Sequence, residues 1–138
     1  MAGFVGRFEH SVDTKGRIIL PARFRDSFTR GGFLSQDQEG CVALRTPGEF
    51  ERQMAEIQED ARHGRDGRNR ARIWARNSSE VEIDKQGRMP VPGHLREFAQ
   101  LEGEVLIHGA IDRIEFWNPT VWETRVQPSE QWFLEDDE

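Results

Sequence analysis

The sequence predicts an α+β fold that is mostly β, with short helices, and that is built from two similar units. The first observation is a repeated segment, because "VDTKGRIILPARFR" at 12–25 aligns without gaps with "IDKQGRMPVPGHLR" at 83–96. The second is the alternation of apolar and polar residues before each copy, which is typical of short strands. The third is size, since a unit of about 44 residues cannot bury a stable core alone. The units are therefore expected to pack together or to exchange elements.

The repeat defines the organisation of the chain. The two copies are identical at the pairs Asp13/Asp84, Gly16/Gly87, Arg17/Arg88, Pro21/Pro92 and Arg25/Arg96. Average composition would give about one identity over such a length. Further on, "LRTPGEFE" at 44–51 resembles "FWNPTVWE" at 116–123. We therefore divide the chain into a first repeat at 7–50, a helix and arginine-rich connector at 51–78, a second repeat at 79–122 and an acidic tail at 123–138.

Each repeat is predicted to begin with a β-hairpin. The runs "GRFEHSVD" and "SSEVEID" lead into a turn that contains glycine, and "RIIL" and "RMPV" supply the returning strands. Pro21 and Pro92 follow, and each is expected at the first position of a short helix. Pro90 lies within the second returning strand, where it removes a donor from the ladder. An irregular second hairpin is therefore expected.

The rest of each repeat is predicted to form two strands and a second helix. The strands are "GFLSQ" and "CVALR" in the first repeat and "GEVLIHG" and "DRIEFW" in the second. Thr46, Pro47 and Glu49 have the pattern of an N-cap, a first helical position and the third residue of a capping box. Asn118 before Pro119 predicts the corresponding helix start in the second repeat.

The distribution of charge favours a nucleic-acid partner more than the net charge of −6 suggests. Residues 1–78 contain 14 Lys and Arg against 11 Asp and Glu, whereas residues 79–138 contain 5 against 14. Because charges are screened beyond about 8 Å at physiological salt, a local basic face decides binding. The connector at 61–76 has six arginines and one aspartate. Gly64 and Gly67 predict a loop in its first half, and "NRARIWAR" predicts a helix. Its arginines either contact DNA backbone or form a charged linker or surface helix.

Other classes of protein find little support in the sequence. The single cysteine, Cys41, excludes an internal disulfide, and its apolar surroundings predict a small buried residue. No apolar run approaches the roughly 20 residues of a membrane helix, and the N-terminus lacks the pattern of a signal peptide, so a cytoplasmic protein is expected. The four histidines have no metal-ligand spacing, and no catalytic motif is present. The sequence predicts no enzyme activity, no cofactor and no metal.

The repeated turns carry the chemistry of a candidate binding site. An Asp can accept hydrogen bonds from the backbone of the turn, a Gly supplies a positive φ, and the Arg that follows lies beside the turn. The residues concerned are Asp13, Lys15, Gly16 and Arg17 in the first turn, and Asp84, Lys85, Gly87 and Arg88 in the second. A guanidinium on a rigid turn can bind phosphate or the O6 and N7 atoms of guanine. Alternatively, each Arg pairs with the Asp of its own turn, and the two roles are compatible.

The sequence resembles the MraZ family of bacterial transcriptional regulators over residues 3–125. The segments that carry the resemblance are "EHSVDTKGRIILPARFR", "VEIDKQGRMPVPGHLREFAQL" and "GEVLIHGAIDRIEFWNPTVWE". They contain the two D-x-x-x-R turns of the family, as Asp13–Arg17 and Asp84–Arg88. The resemblance implies tandem AbrB/MazE-like (SpoVT-AbrB) domains that form a double-split, swapped-hairpin β-barrel capped by helices.

The resemblance also implies a function. Members of the family regulate the division and cell-wall gene cluster, including their own operon, and bind repeated short G-rich promoter boxes. They assemble as rings, commonly octamers. By this comparison Arg17 and Arg88 contact double-stranded DNA with support from Lys15 and Lys85, in a cytoplasmic, nucleoid-associated homo-oligomer.

Two departures and one alternative follow from the sequence. Gln86 stands where a lysine is expected by analogy with Lys15, and Pro90 interrupts the second hairpin. The first repeat is therefore expected to contribute more of the binding energy. The alternative is an antitoxin-like module whose main partner is a protein, which the acidic C-terminal third would favour.

Overall fold

The structure is a computed structural model that describes residues 3–126 of the 138-residue chain. Within this range the fold is α+β, as predicted, with more strands than helices. The strands are β1 (Arg7–Ser11), β2 (Arg17–Ile19), β3 (Gly32–Gln36), β4 (Val42–Arg45), β5 (Ser79–Val81), β6 (Arg88–Pro90), β7 (Glu104–Gly109) and β8 (Ile114–Trp117). The helices are α1 (Ala22–Arg25), α2 (Pro47–Ala61), α3 (Arg65–Asn77), α4 (Gly93–Ala99) and α5 (Pro119–Arg125). A short 3-10 helix, Asp26–Phe28, follows α1.

The strands form two antiparallel sheets. The larger has six strands in the order β1-β7-β8-β4-β3-β5, and the smaller is the pair β2-β6. We call this pair the ribbon. Among residues 3–126 no strand pairing joins β1 to β5, so the larger sheet is open rather than a closed barrel. The repeats therefore contribute to one continuous sheet.

Strand pairing crosses between the repeats, and the predicted ladder within each hairpin is wrong. β1 and β2 flank the first turn, yet β1 pairs with β7 and β2 pairs with β6. Across that turn only the single bridge Val12↔Ile18 extends the pairing. The exchange places Ile18 opposite Met89, and both side chains are fully buried. Pairing across the repeats buries apolar faces that neither unit could cover alone.

The main core lies between the larger sheet, the ribbon and the short helices. Its fully buried side chains come from both repeats and include Ile18, Leu20, Leu34, Leu44, Met89, Leu95, Ile107, Ile114 and Phe116. Phe4 packs edge-on against Phe24 at 5.5 Å and stacks on Phe28 at 5.6 Å. This core fixes the ribbon from beneath. Cys41 is fully buried beside Trp117 and Val121 in a smaller cluster, as predicted for a small core residue.

The prolines take positions that differ from those predicted. Pro21 and Pro92 are N-cap residues with extended backbone (ψ 138° and 146°), rather than first helical residues. Pro90 lies in a regular β6 opposite Arg17. The backbone N–H groups of Leu20 and Val91 donate across the ribbon to the carbonyls of Gly87 and Gly16, respectively. Because such bonds alternate along an antiparallel strand, the backbone nitrogen of Pro90 faces away from β2. The missing donor of Pro90 is therefore not needed, and no irregularity results.

The helix starts predicted from the caps are confirmed. Thr46 Oγ1 accepts the backbone N–H of Glu49 at 3.3 Å, and Pro47 is the first residue of α2. Asn118 Oδ1 accepts the N–H groups of Thr120 and Val121 at the start of α5. The acidic tail at 123–138 is described only as far as residue 126. No helix in the described range is long and apolar enough to cross a membrane.

The connector is helical over more of its length than the sequence predicts. A short turn at 62–64 separates α2 from α3 and ends at Gly64, so the predicted loop is present but shorter than expected, because Gly67 lies within α3. A Cβ atom at Gly67 would collide with the backbone carbonyl of Asp60. The glycine therefore permits close packing of α3 on α2 rather than a loop. Phe50 of α2 stacks on Trp74 of α3 at 4.8 Å, which holds the two helices together as a hairpin.

Candidate nucleic-acid interface

The two D-x-x-x-R turns have nearly the same geometry. Asp13 Oδ1 accepts the backbone N–H groups of Lys15 and Arg17, each at 2.9 Å, and Asp13 Oδ2 accepts Arg17 Nε at 2.8 Å. In the second turn Asp84 Oδ1 accepts the N–H groups of Gln86 and Arg88 at 2.9 Å, and Oδ2 accepts Arg88 Nε at 2.6 Å. Each aspartate therefore fixes both the loop and the arginine.

The pairing of each arginine with the aspartate of its own turn is thus present, and it leaves part of the guanidinium available. The contact uses Nε, and in the part of the chain that the structure describes the two terminal nitrogens of Arg17 and Arg88 make no further bond. The Arg17 and Arg88 side chains are 29% and 39% exposed. An arginine held at Nε by a carboxylate presents its terminal nitrogens in a fixed direction, which favours recognition of a planar acceptor pair.

The turns lower the pKa of both aspartates. The main cause is the hydrogen bond from the backbone N–H of Arg17 to Asp13, and of Arg88 to Asp84, with the bond from the arginine side chain as a further cause. Both carboxyl groups are exposed to solvent, and the hydrogen bonds of the turns favour their charged form. A carboxylate that accepts two or three donors is held in its ionised form.

Acidification is expected to protonate Asp13 and Asp84 only below the ordinary aspartate pKa. A folded pKa below the unfolded value means that the turn interactions stabilise the protein at neutral pH and are lost as pH falls through the folded pKa. The ¹³C shifts of the two carboxyl carbons, followed against pH, measure this. In the Arg17→Ala/Arg88→Ala variant both pKa values should rise but stay lowered by the backbone donors. Titration at the ordinary value in the unaltered protein would contradict the geometry.

The ribbon brings the two arginines onto one exposed face. Strand alternation directs Ile18 and Met89 into the core, so the other ribbon residues face outward. The outward residues are Arg17, Ile19, Arg88 and Pro90. Arg88 lies opposite Ile19 in the strand register, so Arg17 and Arg88 are diagonal neighbours, and such positions are about 7–8 Å apart in antiparallel sheets. One small surface therefore presents both guanidinium groups.

The predicted lysines lie at opposite ends of this surface. Because β2 and β6 run antiparallel, the turn that holds Lys15 lies at one end of the ribbon and the turn that holds Lys85 lies at the other. Both lysines are exposed. The site residues therefore form one strip, with arginines at the centre and lysines at the ends. The spacing of the two turns in the sequence gave no sign of this arrangement.

Arg25 and Arg96 brace the turns of the opposite repeat. Arg25 Nε donates to the carbonyl of Leu20 at 2.9 Å, and its guanidinium lies against Gly87. Arg96 Nε donates to the carbonyl of Val91 at 2.9 Å, and its guanidinium lies against Gly16. The arginine that recurs in the repeat therefore makes the same structural contacts in both copies.

The glycines are required by these braces as well as by the turns. Gly16 and Gly87 have φ values of +77° and +83°, in the left-handed region that favours glycine. Each also lies where a Cβ atom would meet the bracing guanidinium. The crossed contacts tie the two turns into one unit.

A partly buried charge network, absent from the sequence predictions, lies away from the ribbon. Arg113 contacts Glu115 at 2.9 Å and Asp112 at 2.8 Å, and Glu115 also accepts the indole N–H of Trp117 at 3.0 Å. Asp37, Cys41 and Glu115 each place a potential metal-ligand atom within 4.8 Å of the others. Burial raises the pKa of the Cys41 thiol, which keeps the sulfur protonated. Arg113 instead supplies the positive charge beside these carboxylates.

Comparison with known proteins gives one consistent result. The family model described as "MraZ protein, putative antitoxin-like" matches residues 4–71 and 75–138. A protein of Micrococcus luteus named "Transcriptional regulator MraZ" is 36% identical over 135 residues, which are 98% of this chain and 94% of that protein. Proteins with the same name are 33% identical in Salinispora arenicola (98% and 95% covered) and 34% identical in Caldanaerobacter subterraneus (86% and 83% covered).

Proposed function

The chain belongs to the MraZ family, and from this premise we propose that it regulates transcription by binding double-stranded promoter DNA through the outward face of the ribbon. The observation that carries this proposal is the placement of Arg17 and Arg88 together on that face, with Lys15 and Lys85 at its ends. The named relatives are regulators, and the function is accordingly regulatory rather than enzymatic.

The dimensions of the ribbon suit the major groove. That groove is about 12 Å wide and admits a two-stranded β-ribbon. Arg17 and Arg88 would reach base edges, where an arginine binds O6 and N7 of guanine through two hydrogen bonds. Their Nε atoms already bond Asp13 and Asp84, which leaves the terminal nitrogens for this contact. Lys15 would bind the flanking phosphates as a charge without a fixed direction.

The target we propose is a set of repeated short G-rich boxes in the promoter of the protein's own operon, within the division and cell-wall gene cluster. A pair of arginines reads few base pairs, so one ribbon gives limited selectivity. A ring of subunits, with eight as the family suggests, would bring several ribbons to several boxes and raise the affinity by effective concentration. The protein would then act in the cytoplasm at the nucleoid.

We also propose the finer architecture that the family implies. The pairing of β1 with β7, of β2 with β6 and of β3 with β5 crosses between repeats, as in a double-split barrel of exchanged hairpins. The domains would be SpoVT-AbrB-like repeats at 7–50 and 79–122, joined by the connector at 51–78 and followed by the tail at 123–138.

Substituting Arg17 and Arg88 by alanine tests the site. Each lost two-bond base contact should weaken binding by about 1–3 kcal/mol, so the double variant should lose most of its preference for the specific DNA. The measurement is a mobility shift on the DNA upstream of the operon, compared with a scrambled duplex. Arg17→Lys retains the charge but not the planar fork, and should recover non-specific binding without the preference. Arg30→Ala removes one exposed charge outside the ribbon and serves as a control.

The single variants rank the two repeats. Arg17→Ala should cost more than Arg88→Ala, because Lys15 accompanies Arg17 in its turn while Gln86 occupies the matching position in the second. Unchanged affinity of the double variant at moderate salt would refute the assignment of these arginines. Failure of the unaltered protein to prefer its upstream DNA would refute the proposed function itself.

A further inference from the structure

One face of α3 carries a row of four arginines. Arg65, Arg68, Arg72 and Arg76 follow at intervals of three or four residues, so they share one side of the helix. All four are exposed. The opposite side holds Gly67, which lies close to the α2 backbone, and Trp74, which stacks on Phe50. We call the four residues the arginine row.

The arginine row differs from the other arginines of the helical hairpin in its partners. Arg52 pairs with Glu49, Arg62 pairs with Glu59, and Arg70 binds Asp60 through two bonds of 2.8 and 2.9 Å. In contrast, within residues 3–126 none of the four side chains of the row contacts a carboxylate. Arg72 bonds only the neutral Asn69, at 2.9 Å.

This arrangement disfavours the isolated helix. Like charges spaced by three or four residues repel each other by a few tenths of a kcal/mol per pair. Arg65 is also the first residue of α3, where the helix dipole disfavours a positive charge. Asp66 lies in the same first turn, but in the described part of the chain no carboxylate is within ion-pairing distance of the row. An extended anionic partner would offset this repulsion, because each guanidinium would then lie beside a negative charge.

The row ends beside α4, the helix that follows the ribbon strand β6. His94 Nε2 lies 3.1 Å from the carbonyl of Asn77, the last residue of α3, and α4 starts three residues after β6 ends. The Arg76 end of the row is therefore close to the helix that leaves the ribbon. From position 65 to 76 the row extends about 16 Å, since an α-helix rises 1.5 Å per residue.

We propose that the arginine row binds the phosphate backbone of DNA, as a second contact surface outside the ribbon. This inference rests on the proposed DNA-binding function and adds a contact that carries no sequence information. B-DNA carries one phosphate per about 3.4 Å of axis on each strand, so a row of this length can face several phosphates. The ribbon then selects the sequence, while α3 supplies affinity that depends on salt.

The test compares two variants of the same helical hairpin that lose the same charge. Arg68→Gln/Arg76→Gln removes two row arginines that make no side-chain bond in the described chain. Arg52→Gln/Arg62→Gln removes two arginines that already pair with glutamates and are 79% and 68% exposed. Affinity for the upstream duplex and for a scrambled duplex is measured over a series of salt concentrations. Circular dichroism and light scattering establish the fold and molar mass of each variant.

The row variant should bind both duplexes about tenfold or more weakly near 0.1 M salt, and the slope of log K against log salt should fall by about two, because each lost phosphate contact removes about 0.9. The control variant should keep the unaltered slope.

An unchanged slope in the row variant overturns the inference and leaves the ribbon proposal intact. A fall in molar mass in the row variant also overturns it, because the row then joins copies of the chain. If the slope falls in the row variant but the Arg17 and Arg88 variants bind DNA as the unaltered protein does, the result supports the row and refutes the ribbon site. No DNA binding by the unaltered protein refutes both.

Discussion

Replacing Gly87 with alanine is expected to lower the free energy of unfolding by about 2–4 kcal/mol. The positive φ of +83° costs an alanine about 1–2 kcal/mol. The added Cβ also meets the guanidinium of Arg25, which must move and give up its bond to the carbonyl of Leu20. A hydrogen bond that involves a charged group contributes about 1.5–3 kcal/mol, and water recovers part of it for a half-buried side chain. Urea denaturation at fixed protein concentration measures the total.

A double-variant cycle separates the two causes. Arg25→Ala alone loses the brace, while Gly87→Ala in an Arg25→Ala background retains only the backbone strain. Gly16 and Arg96 provide the equivalent cycle in the other turn, with φ +77° and the same contact. The control is Gly48→Ala, because a Cβ atom there meets nothing within 4 Å in the first turn of α2. If Gly87→Ala unfolds as readily as Gly48→Ala, the brace and the strain are both refuted.

The local features of the fold were predictable from the sequence because short segments determine them. The Asp, Gly and Arg of each turn, the cap at Thr46 and the cap at Asn118 act within four residues of each other. β3, for example, has the bounds of the "GFLSQ" segment. The positive φ values follow from glycine at positions 16 and 87. The repeat itself also identified Arg25 and Arg96 as equivalent positions.

The partners of these segments could not be predicted in the same way. A strand next to a turn normally pairs across it, and only burial of Ile18 against Met89 favours exchange between the repeats. Gly67 predicted a loop, whereas the glycine serves close packing of two helices. A turn and a close helix contact both favour glycine, so the residue alone does not distinguish them. Pro90 is tolerated because of its place in the hydrogen-bond alternation, which depends on the register of β2. Each of these outcomes depends on residues far apart in the chain.

The charge network of the larger sheet gave no signal because the repeats differ there. Arg45 aligns with Trp117 in the repeat, and Ala43 aligns with Glu115, so neither charged residue recurs. In the structure Ala43 and Glu115 are paired across β4 and β8, and Arg45 bonds Ser35 at 3.0 Å. Burial is the main cause that lowers the pKa of Arg45, and the nearby charge of Arg113 lowers it further. The network is therefore a single feature of the assembled fold rather than a repeated one.

Replacing Glu115 with alanine is expected to destabilise the protein by about 2–3 kcal/mol, below the loss of about 3–5 kcal/mol for a fully buried ion pair, because the Arg113 side chain is 27% exposed. Glu115 is 8% exposed, and its carboxylate accepts both Arg113 and the indole N–H of Trp117. Without it, Arg113 keeps Asp112 and the more distant Asp37, at 3.7 Å. Urea denaturation followed by tryptophan fluorescence measures the change.

Two matched substitutions show which part of the Glu115 side chain matters. Glu115→Gln keeps an acceptor for Trp117 and nearly the same volume, so its smaller loss of stability isolates the negative charge beside Arg113. Glu123→Ala removes the same charge from an exposed position on α5 and should change stability by no more than about 0.5 kcal/mol. Equal effects of Glu115→Ala and Glu123→Ala would mean that water reaches Arg113 fully. If Glu115→Ala and Glu115→Gln have equal effects, the whole loss of stability comes from the negative charge, because the glutamine still accepts the indole N–H of Trp117.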